Sequence, residues 1–575
     1  MSMDADKNSV ASQTVSANPG ESAGMNSAKS FVRHANVIST LTVVSRISGL
    51  IRDKTCSYFL GVETEWSAFW MGFQFPNLFR RIFGEGALTA VFIPVYTRVQ
   101  HQFGQEAADR LARAVIALLT LVLIALTAVG ELIVLPIALS QSVLSNNRLA
   151  ALMIAIMLPY SIAVCLVAIL GALAAAHERF AAQALSPVIN NLAMALAAAL
   201  PVWFWTSHYP IVSRIKWVAA AVLISGALQI VLMMPTIWKI SPAWRVGFIN
   251  KPVWSDALRE IIVTMLPMIA GLSAVQFNTF MDSQIAWWLS PDGHGGRTDF
   301  LLLGAHIHVP MLKGALGKLS VAQRIYLLPV GIFGVATATA VFPRLSRAAV
   351  AGNAGEVKSL MIQALRKSSF LSIPTTLGMI LISPLLISVI YLGGQVTVED
   401  VNHATWAARW FCAGIWAFEI QMILIRVFYA QRDTRTPMKI AAWMVLLNIA
   451  LNLSLVWFMQ EGGIAAGTTI AAIVQCIILL MVLKKRSGTL GLAELRPFLI
   501  KALFAGLIMF AAGWAVDDLL AQTPILDTSH RVLAALVRLP IVVLVAALVY
   551  GVAARLLAIP ELAEAPLLKF LAKRS

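Results

Sequence analysis

Apolar runs recur along the chain from near residue 35 to near residue 557. Each is close to the roughly 20 residues a helix needs to cross about 30 Å of hydrocarbon. Short polar, Pro-bearing or Gly-bearing turns separate them. The pattern predicts helices over 35–60, 65–99, 108–141, 148–177, 182–205, 214–239, 256–290, 317–349, 357–393, 402–430, 436–458, 463–484, 497–521 and 531–557. Fourteen crossings return a chain to its starting side, so the two termini are expected on one face of the bilayer. The sequence reads as an all-α polytopic membrane protein.

Composition agrees with this reading. Of 575 residues, 59% are hydrophobic and 13% charged, too little charge to cover a soluble protein of that length. The formal charge of +16 would suit nucleic acid, but Lys and Arg also accumulate in cytoplasmic loops for topological reasons. Around the connection after the eighth span lie Arg344, Arg347, Lys358, Arg366 and Lys367 against Glu356. After the twelfth come Lys484, Lys485, Arg486, Arg496 and Lys501 against Glu494. The alternate connections carry Glu399 with Asp400, then Glu461, then Asp517, Asp518 and Asp527 against Arg531. This alternation places both termini in the cytoplasm and removes nucleic acid as an expected partner. Residues 1–33, rich in Ser, Ala, Asn and Gly, are expected to form a disordered cytoplasmic tail. Cys56, Cys165, Cys412 and Cys476 stand singly in or beside apolar runs and read as small core hydrophobes.

The chain repeats itself. FGEGALTAVFIP at 83–94 matches FGVATATAVFP at 333–343, and Glu178-Arg179 through Pro187 to Asn191 matches Arg432-Asp433 through Pro437 to Asn448, both at an offset of about 250 residues. Each copy holds six spans in the same orientation, the parallel repeat of several transporter folds. The expected organisation is a six-helix lobe over 34–245, a second over 246–486, and two extra helices with a cytoplasmic tail over 487–575.

Chemistry is concentrated between Ser45 and Pro94, where Arg46, Arg52, Asp53, Arg80, Arg81 and Glu85 interrupt apolar segments. An arginine at the bilayer centre costs about 3 kcal/mol on insertion scales. Several together imply a polar cavity, or else helix ends from which the side chains snorkel to the interface. Arg46 and Arg52 are six residues apart, about 120° around a helix of 3.6 residues per turn, so both can face one broad wall. Ser45, Ser48 and Gly49 allow close approach there. Arg324 enters the corresponding region of the second repeat. Guanidinium forks match phosphate oxygens, so the expected ligand is an anion such as a phosphate or diphosphate. Asp282, Gln276 and Asn278 in the seventh span, and Glu419 and Arg426 in the tenth, are further contacts for ion or substrate, or satisfied bundle polars.

Enzymatic signals are thin. HExxH, GxSxG and P-loop motifs are absent, and the Asp-x-Asp at Asp4 and Asp6 lies in the tail. No catalytic residue and no cofactor are predicted. The Gly-rich stretch 291–316 contains His294, His306 and His308 without supporting carboxylate or cysteine spacing. It is expected to be a solvated periplasmic loop or short surface helix rather than a metal site.

SRISGLIRD at 45–53, PNLFRRIFGEGALTAVFIPVY at 76–96, RFAAQALSPVINN at 179–191, GIFGVATATAVFPRLSR at 331–347 and YAQRDTRTPMKI at 429–440 resemble the signatures of the MurJ (MviN) lipid II flippases. They occur in order over residues 35–485. The resemblance implies the fold of the multidrug/oligosaccharidyl-lipid/polysaccharide exporters, with two six-helix lobes around a central cavity and two added helices grooved for a polyprenyl tail. It implies an inner-membrane flippase that moves lipid II, undecaprenyl-diphosphate bearing a disaccharide-pentapeptide, to the periplasmic leaflet by alternating access. Cell-wall synthesis proteins are then candidate partners. The family's transport residues fall on Ser45, Arg46, Arg52, Arg80, Glu85 and Arg324. Ser67, Gln74 and Leu327 depart from the acid, base and acid common in the family, which keeps two alternatives: a flippase for another polyprenyl-diphosphate oligosaccharide, or a cation-coupled multidrug exporter. Membrane potential, sodium or protons, the ions acting through Asp282 or Glu85, are the candidate energy sources.

Overall fold

The computed structural model describes residues 19–84, 87–205, 210–241, 244, 255–302, 305–523 and 531–564. The first lobe comprises α1 (Pro19–Leu60), α2 (Thr64–Phe79), α3 (Ala87–Leu139), α4 (Ser145–Met157), α5 (Tyr160–Ala176), α6 (Ala181–Trp205) and α7 (Ile211–Trp238). The second comprises α8 (Asp256–Trp288), α9 (Ala315–Pro329), α10 (Val335–Val350), α11 (Ala354–Tyr391), α12 (Val398–Ala413), α13 (Ile415–Ala430), α14 (Arg435–Met459) and α15 (Glu461–Ser487). The added pair is α16 (Leu495–Ala521) and α17 (Arg531–Leu556). Among the described residues, 11 helices are long and apolar enough to cross a membrane. With α1, α8 and the division of α3 at Gly104, whose φ of 80° breaks the helix, they accommodate fourteen spans.

Several predicted spans are helices in two pieces. Leu158-Pro159 separates α4 from α5, and Gly414 separates α12 from α13. The predicted 65–99 helix is interrupted by a π turn at Arg80–Gly84, and the predicted 317–349 helix by a second at Val330–Gly334. The two π turns occupy the same place in the two repeats. Such turns often mark functional positions in helices. Glu178 (φ 58°) and Arg432 (φ 60°) are likewise both left-handed. The next residue's N–H closes the same six-residue turn in each copy, Arg179 to the Ala174 carbonyl at 2.9 Å and Asp433 to the Phe428 carbonyl at 3.0 Å. The repeat is therefore one of backbone geometry as well as sequence.

Two expectations change at the connections. α1 begins at Pro19, so residues 19–33 are helical where a disordered tail was expected; residues 1–18 lie outside the described set. The 291–316 stretch is not simply solvated. It folds as a short helical turn at Pro291–His294 and an antiparallel hairpin in which Asp299 pairs with His308, while Asp292, Val309 and Met311 are buried. His306 hydrogen-bonds Asp299 at 3.1 Å, and His294 stacks on Phe300. α16 and α17 pack on α11 through a small apolar cluster around Phe370, Phe498 and Tyr550, the Tyr550 hydroxyl donating to the Phe370 carbonyl at 2.8 Å. Their outer faces stay apolar and exposed, as Phe504, Trp514 and Leu544 illustrate.

Candidate functional site

Between the lobes lies a cavity of about 380 Å³ walled by α1, α2, α5, α6, α7, α8 and α9. Its charged lining residues among those described are four arginines, Arg52, Arg80, Arg81 and Arg324. Small residues on α1 set the first of them. Ser48 and Gly49 let Asn191 of α6 come close, so that Asn191 Nδ2 donates to Ser48 Oγ at 2.9 Å and to the Ser45 carbonyl at 3.3 Å. Arg52 Nη1 then donates to Asn191 Oδ1 at 2.8 Å. Arg52 also grips Asp53 Oδ1 through Nε (3.0 Å) and Nη2 (2.8 Å). The other oxygen of Asp53 lies 3.1 Å from Arg324 Nη1, on the opposite lobe. One buried carboxylate thus aligns two guanidinium groups, and the wall keeps an excess of positive charge. Arg324 also lies over the Trp70 ring, 5.0 Å from its centroid, a cation–π contact that fixes its plane.

The π turn presents the other two arginines. Arg80 donates to Asn77 Oδ1 at 2.8 Å, and Arg81 to Gln276 Oε1 at 2.8 Å. Gln276 therefore stands beside the cavity, through Arg81. Ser45 contributes its carbonyl to the Asn191 network. Arg46 is exposed on α1, facing Gly331 of the second π turn across the lobes, where its guanidinium would lie 3.6 Å from an added Cβ. Glu85 lies outside the described residues.

Asp282 and Ser67 lie outside the lining of this cavity. Asp282 is buried inside the second lobe, between α8, α14 and α15. It accepts from Asn452 Nδ2 at 2.7 Å and lies 3.5 Å from Thr468 Oγ1, and turning the Asn448 amide over brings its nitrogen within 2.9 Å as a further donor. Asn452 Oδ1 is buried there without a hydrogen-bond partner among the described residues. Ser67 is also fully buried, not in the cavity but in a seam between the lobes, where its Oγ accepts from the Gly317 N–H at 3.0 Å. At Gly317 a side chain is impossible without movement, because an added Cβ would fall 2.1 Å from the Val62 carbonyl.

That seam closes the cavity at the Leu60 end of α1. Lys54 donates to the Leu392 carbonyl at 2.8 Å, and the Gln395 N–H to the Tyr58 carbonyl at 3.0 Å. Asp292, in the α8–α9 connection, accepts from Thr64 Oγ1 of α2 at 2.6 Å and from the Gly314 N–H at 3.0 Å. Behind it, Lys318 and Asp400 form a buried ion pair at 3.2 Å. At the far end of the bundle, the exposed pair Arg98–Glu260 joins α3 to α8.

Burial pushes the Asp292 carboxyl above the usual range, opposed by its hydrogen bonds from Thr64 and Gly314 and by nearby Lys318. When the seam parts, the group regains water and an ordinary carboxylate value. A raised value in the closed state means that closure is favoured at low pH and loses that advantage as pH rises through the raised value. Spin labels at Glu63→Cys and Gln395→Cys should move apart as pH rises from the ordinary aspartate range through the raised one. The same pair in Asp292→Asn should show no such dependence; an equal response would remove Asp292 from the seal.

Sequence reasoning singled out arginines and overlooked what orients them. Asn191 and Trp70 are neutral, and only a three-dimensional contact reveals their part. In the sequence Asn191 closes a repeated motif and Trp70 lies near the charged stretch, and neither position shows which arginine it meets.

Residues 56–525 match the family described as Lipid II flippase MurJ. A probable lipid II flippase MurJ of Rickettsia prowazekii is 29% identical over 446 residues, 76% of this chain and 81% of the relative. The lipid II flippase MurJ of Burkholderia cenocepacia is 25% identical over 458 residues, 78% of this chain and 83% of the relative. In fold, the chain is similar to a lipid II flippase MurJ solved in an inward closed conformation, with a TM-score of 0.68 at 23% identity, covering 91% of this chain and 99% of the other. An inward-facing multidrug transporter of the MATE family shares the fold at a TM-score of 0.60 and 14% identity, over 79% of this chain and 98% of its own.

Proposed function

The chain belongs to the lipid II flippase MurJ family, and on that premise we propose that it carries lipid II from the cytoplasmic to the periplasmic leaflet of the bacterial inner membrane. The observation that supports this most is the all-arginine charge of the interlobe wall. Such a wall suits a diphosphate, which accepts bidentate guanidinium bonds, and repels the cationic compounds of a multidrug exporter. Arg52 and Arg324 would take the diphosphate, Arg80 and Arg81 its flank or the start of the head group. The hydrocarbon tail would remain in lipid along the exposed apolar faces of α16 and α17.

Transport would proceed by alternating access. With both termini cytoplasmic, the Leu60 end faces the periplasm, and the seam of Ser67, Gly317, Asp292 and Thr64 is the outer gate. Parting the lobes there separates Asp53 from Arg324, an ion pair that crosses them at this end. A polar head cannot cross bare hydrocarbon, so the cavity supplies its path.

The test is rescue of a bacterium depleted of its own lipid II flippase. Rescue by a well-expressed parent chain supports the reading; failure at matched membrane levels moves it to another polyprenyl-diphosphate oligosaccharide.

For the energy source, the Asp282 cluster supports an ion. A buried carboxylate beside the unpartnered Asn452 Oδ1 offers oxygen ligands of the kind a hard cation such as sodium takes. Asp282→Asn should abolish any difference in flipping rate between sodium and choline media in proteoliposomes. A parent rate independent of both sodium and pH, but rising with potential at about 2.3 kcal/mol per charge per 100 mV, would transfer the role to the membrane potential.

A further inference from the structure

We propose that Trp70 and Gln74 form a subsite for a secondary amide, the acetamido group of the sugar that bears the diphosphate, and thereby select a sugar-bearing lipid over a bare lipid diphosphate. The proposal rests on the diphosphate reading above and assigns the neutral part of the same cavity.

Trp70 and Gln74 both line the cavity from α2. Four residues apart on a helix, they share one face. The Trp70 indole nitrogen and Gln74 Oε1 are buried and have no hydrogen-bond partner among the described residues. Buried polar atoms are nearly always paired, so two orphans one turn apart need a reason. Their neighbours are satisfied: Asn77 by Arg80, and Asn191 by Arg52.

The orphans are of complementary kinds. An indole N–H only donates, and an amide carbonyl only accepts. A phosphate, offering acceptors alone, can answer the first and not the second. A secondary amide answers both, its oxygen to Trp70 and its N–H to Gln74. The placement agrees with this chemistry. Arg324 lies over the Trp70 ring at 5.0 Å, so the indole adjoins the anion end of the wall. On a 2-acetamido sugar linked through its first carbon to a diphosphate, the amide sits on the adjacent carbon. Both orphan atoms are covered in this state, so engagement requires both side chains to turn toward the cavity they line.

The experiment measures Kd of the full chain in detergent for lipid II and for undecaprenyl diphosphate, with Trp70→Phe, Gln74→Leu and Arg324→Ala. Trp70→Phe keeps an aromatic face beneath Arg324, though a smaller one, and removes the indole N–H. Each of the two α2 variants should weaken lipid II binding about tenfold more than it weakens undecaprenyl diphosphate, the loss of one buried hydrogen bond that only the sugar-bearing ligand makes. Arg324→Ala should weaken both ligands. Equal loss for the two ligands in the α2 variants, or no loss for either, overturns the amide subsite while leaving the diphosphate reading intact. A parent chain that binds neither ligand overturns both.

Discussion

An Arg324→Ala variant will fail to rescue flippase-depleted cells at a membrane level at which the parent chain rescues them. Arg324 is the second lobe's cation facing Asp53, at 3.1 Å, and it is held flat by Trp70. Arg324 is partly exposed, and what its removal takes from a bound diphosphate is a charge-assisted hydrogen bond of about 1.5–3 kcal/mol. At the lower bound this is already about tenfold in affinity. Folding is spared by comparison, because Asp53 keeps both bonds to Arg52 and so is not left as an uncompensated buried charge. Arg324→Lys separates charge from shape. A lysine restores the charge without the planar fork, so it should bind the diphosphate more weakly than the parent and rescue partially. Full rescue by the alanine variant would show that the wall does not hold the diphosphate through Arg324. Arg46→Ala should cost less, since Arg46 is exposed and lies against Gly331 across the lobes.

The difference between those two arginines was not legible in the sequence, where both are cations in motifs of one family. Hydrophobic runs predict helices well because bilayer thickness imposes a length, and the span edges fall close to the helix ends. The repeat was legible for the same reason that its π turns and left-handed residues recur: equivalent backbone geometry demands equivalent residues. Breaks within spans were not, because Pro159 and Gly414 interrupt their helices without interrupting the apolar run. Contacts across the lobes were hidden more thoroughly. Asp53 joins Arg52 and Arg324 across the interface, and no spacing rule connects residues so far apart in the chain. Ser67 stood out in the sequence only as a departure from an acidic position of the family; its burial against Gly317 depends on backbones approaching closely enough to exclude a side chain. The 291–316 stretch read as a loop from its glycines, yet Asp292 within it is drawn into the seam by Thr64.

The seam between the lobes carries the second large effect. Lys318 and Asp400 bond at 3.2 Å with each side chain only 5% exposed. Lys318 also donates to the Lys313 carbonyl at 2.7 Å, and Asp400 closes a capping box with Thr397 at the start of α12. Breaking a buried pair by removing one partner typically costs about 3–5 kcal/mol, because the other charge remains in a medium that cannot solvate it. Replacing both by neutral groups of similar shape costs far less. Lys318→Met and Asp400→Asn should each lower the thermal stability of the purified chain and lengthen the Glu63→Cys to Gln395→Cys distance, since a parted seam lets water reach the orphaned charge. Asn at 400 retains a side-chain oxygen for the cap, so the double variant isolates the charge pair and should be more stable than either single one. Its gate should also close again. Additive losses in the double variant would mean that the pair contributes packing alone, and that the neutral contacts of Gly317, Ser67 and Gln395 hold the seam without it.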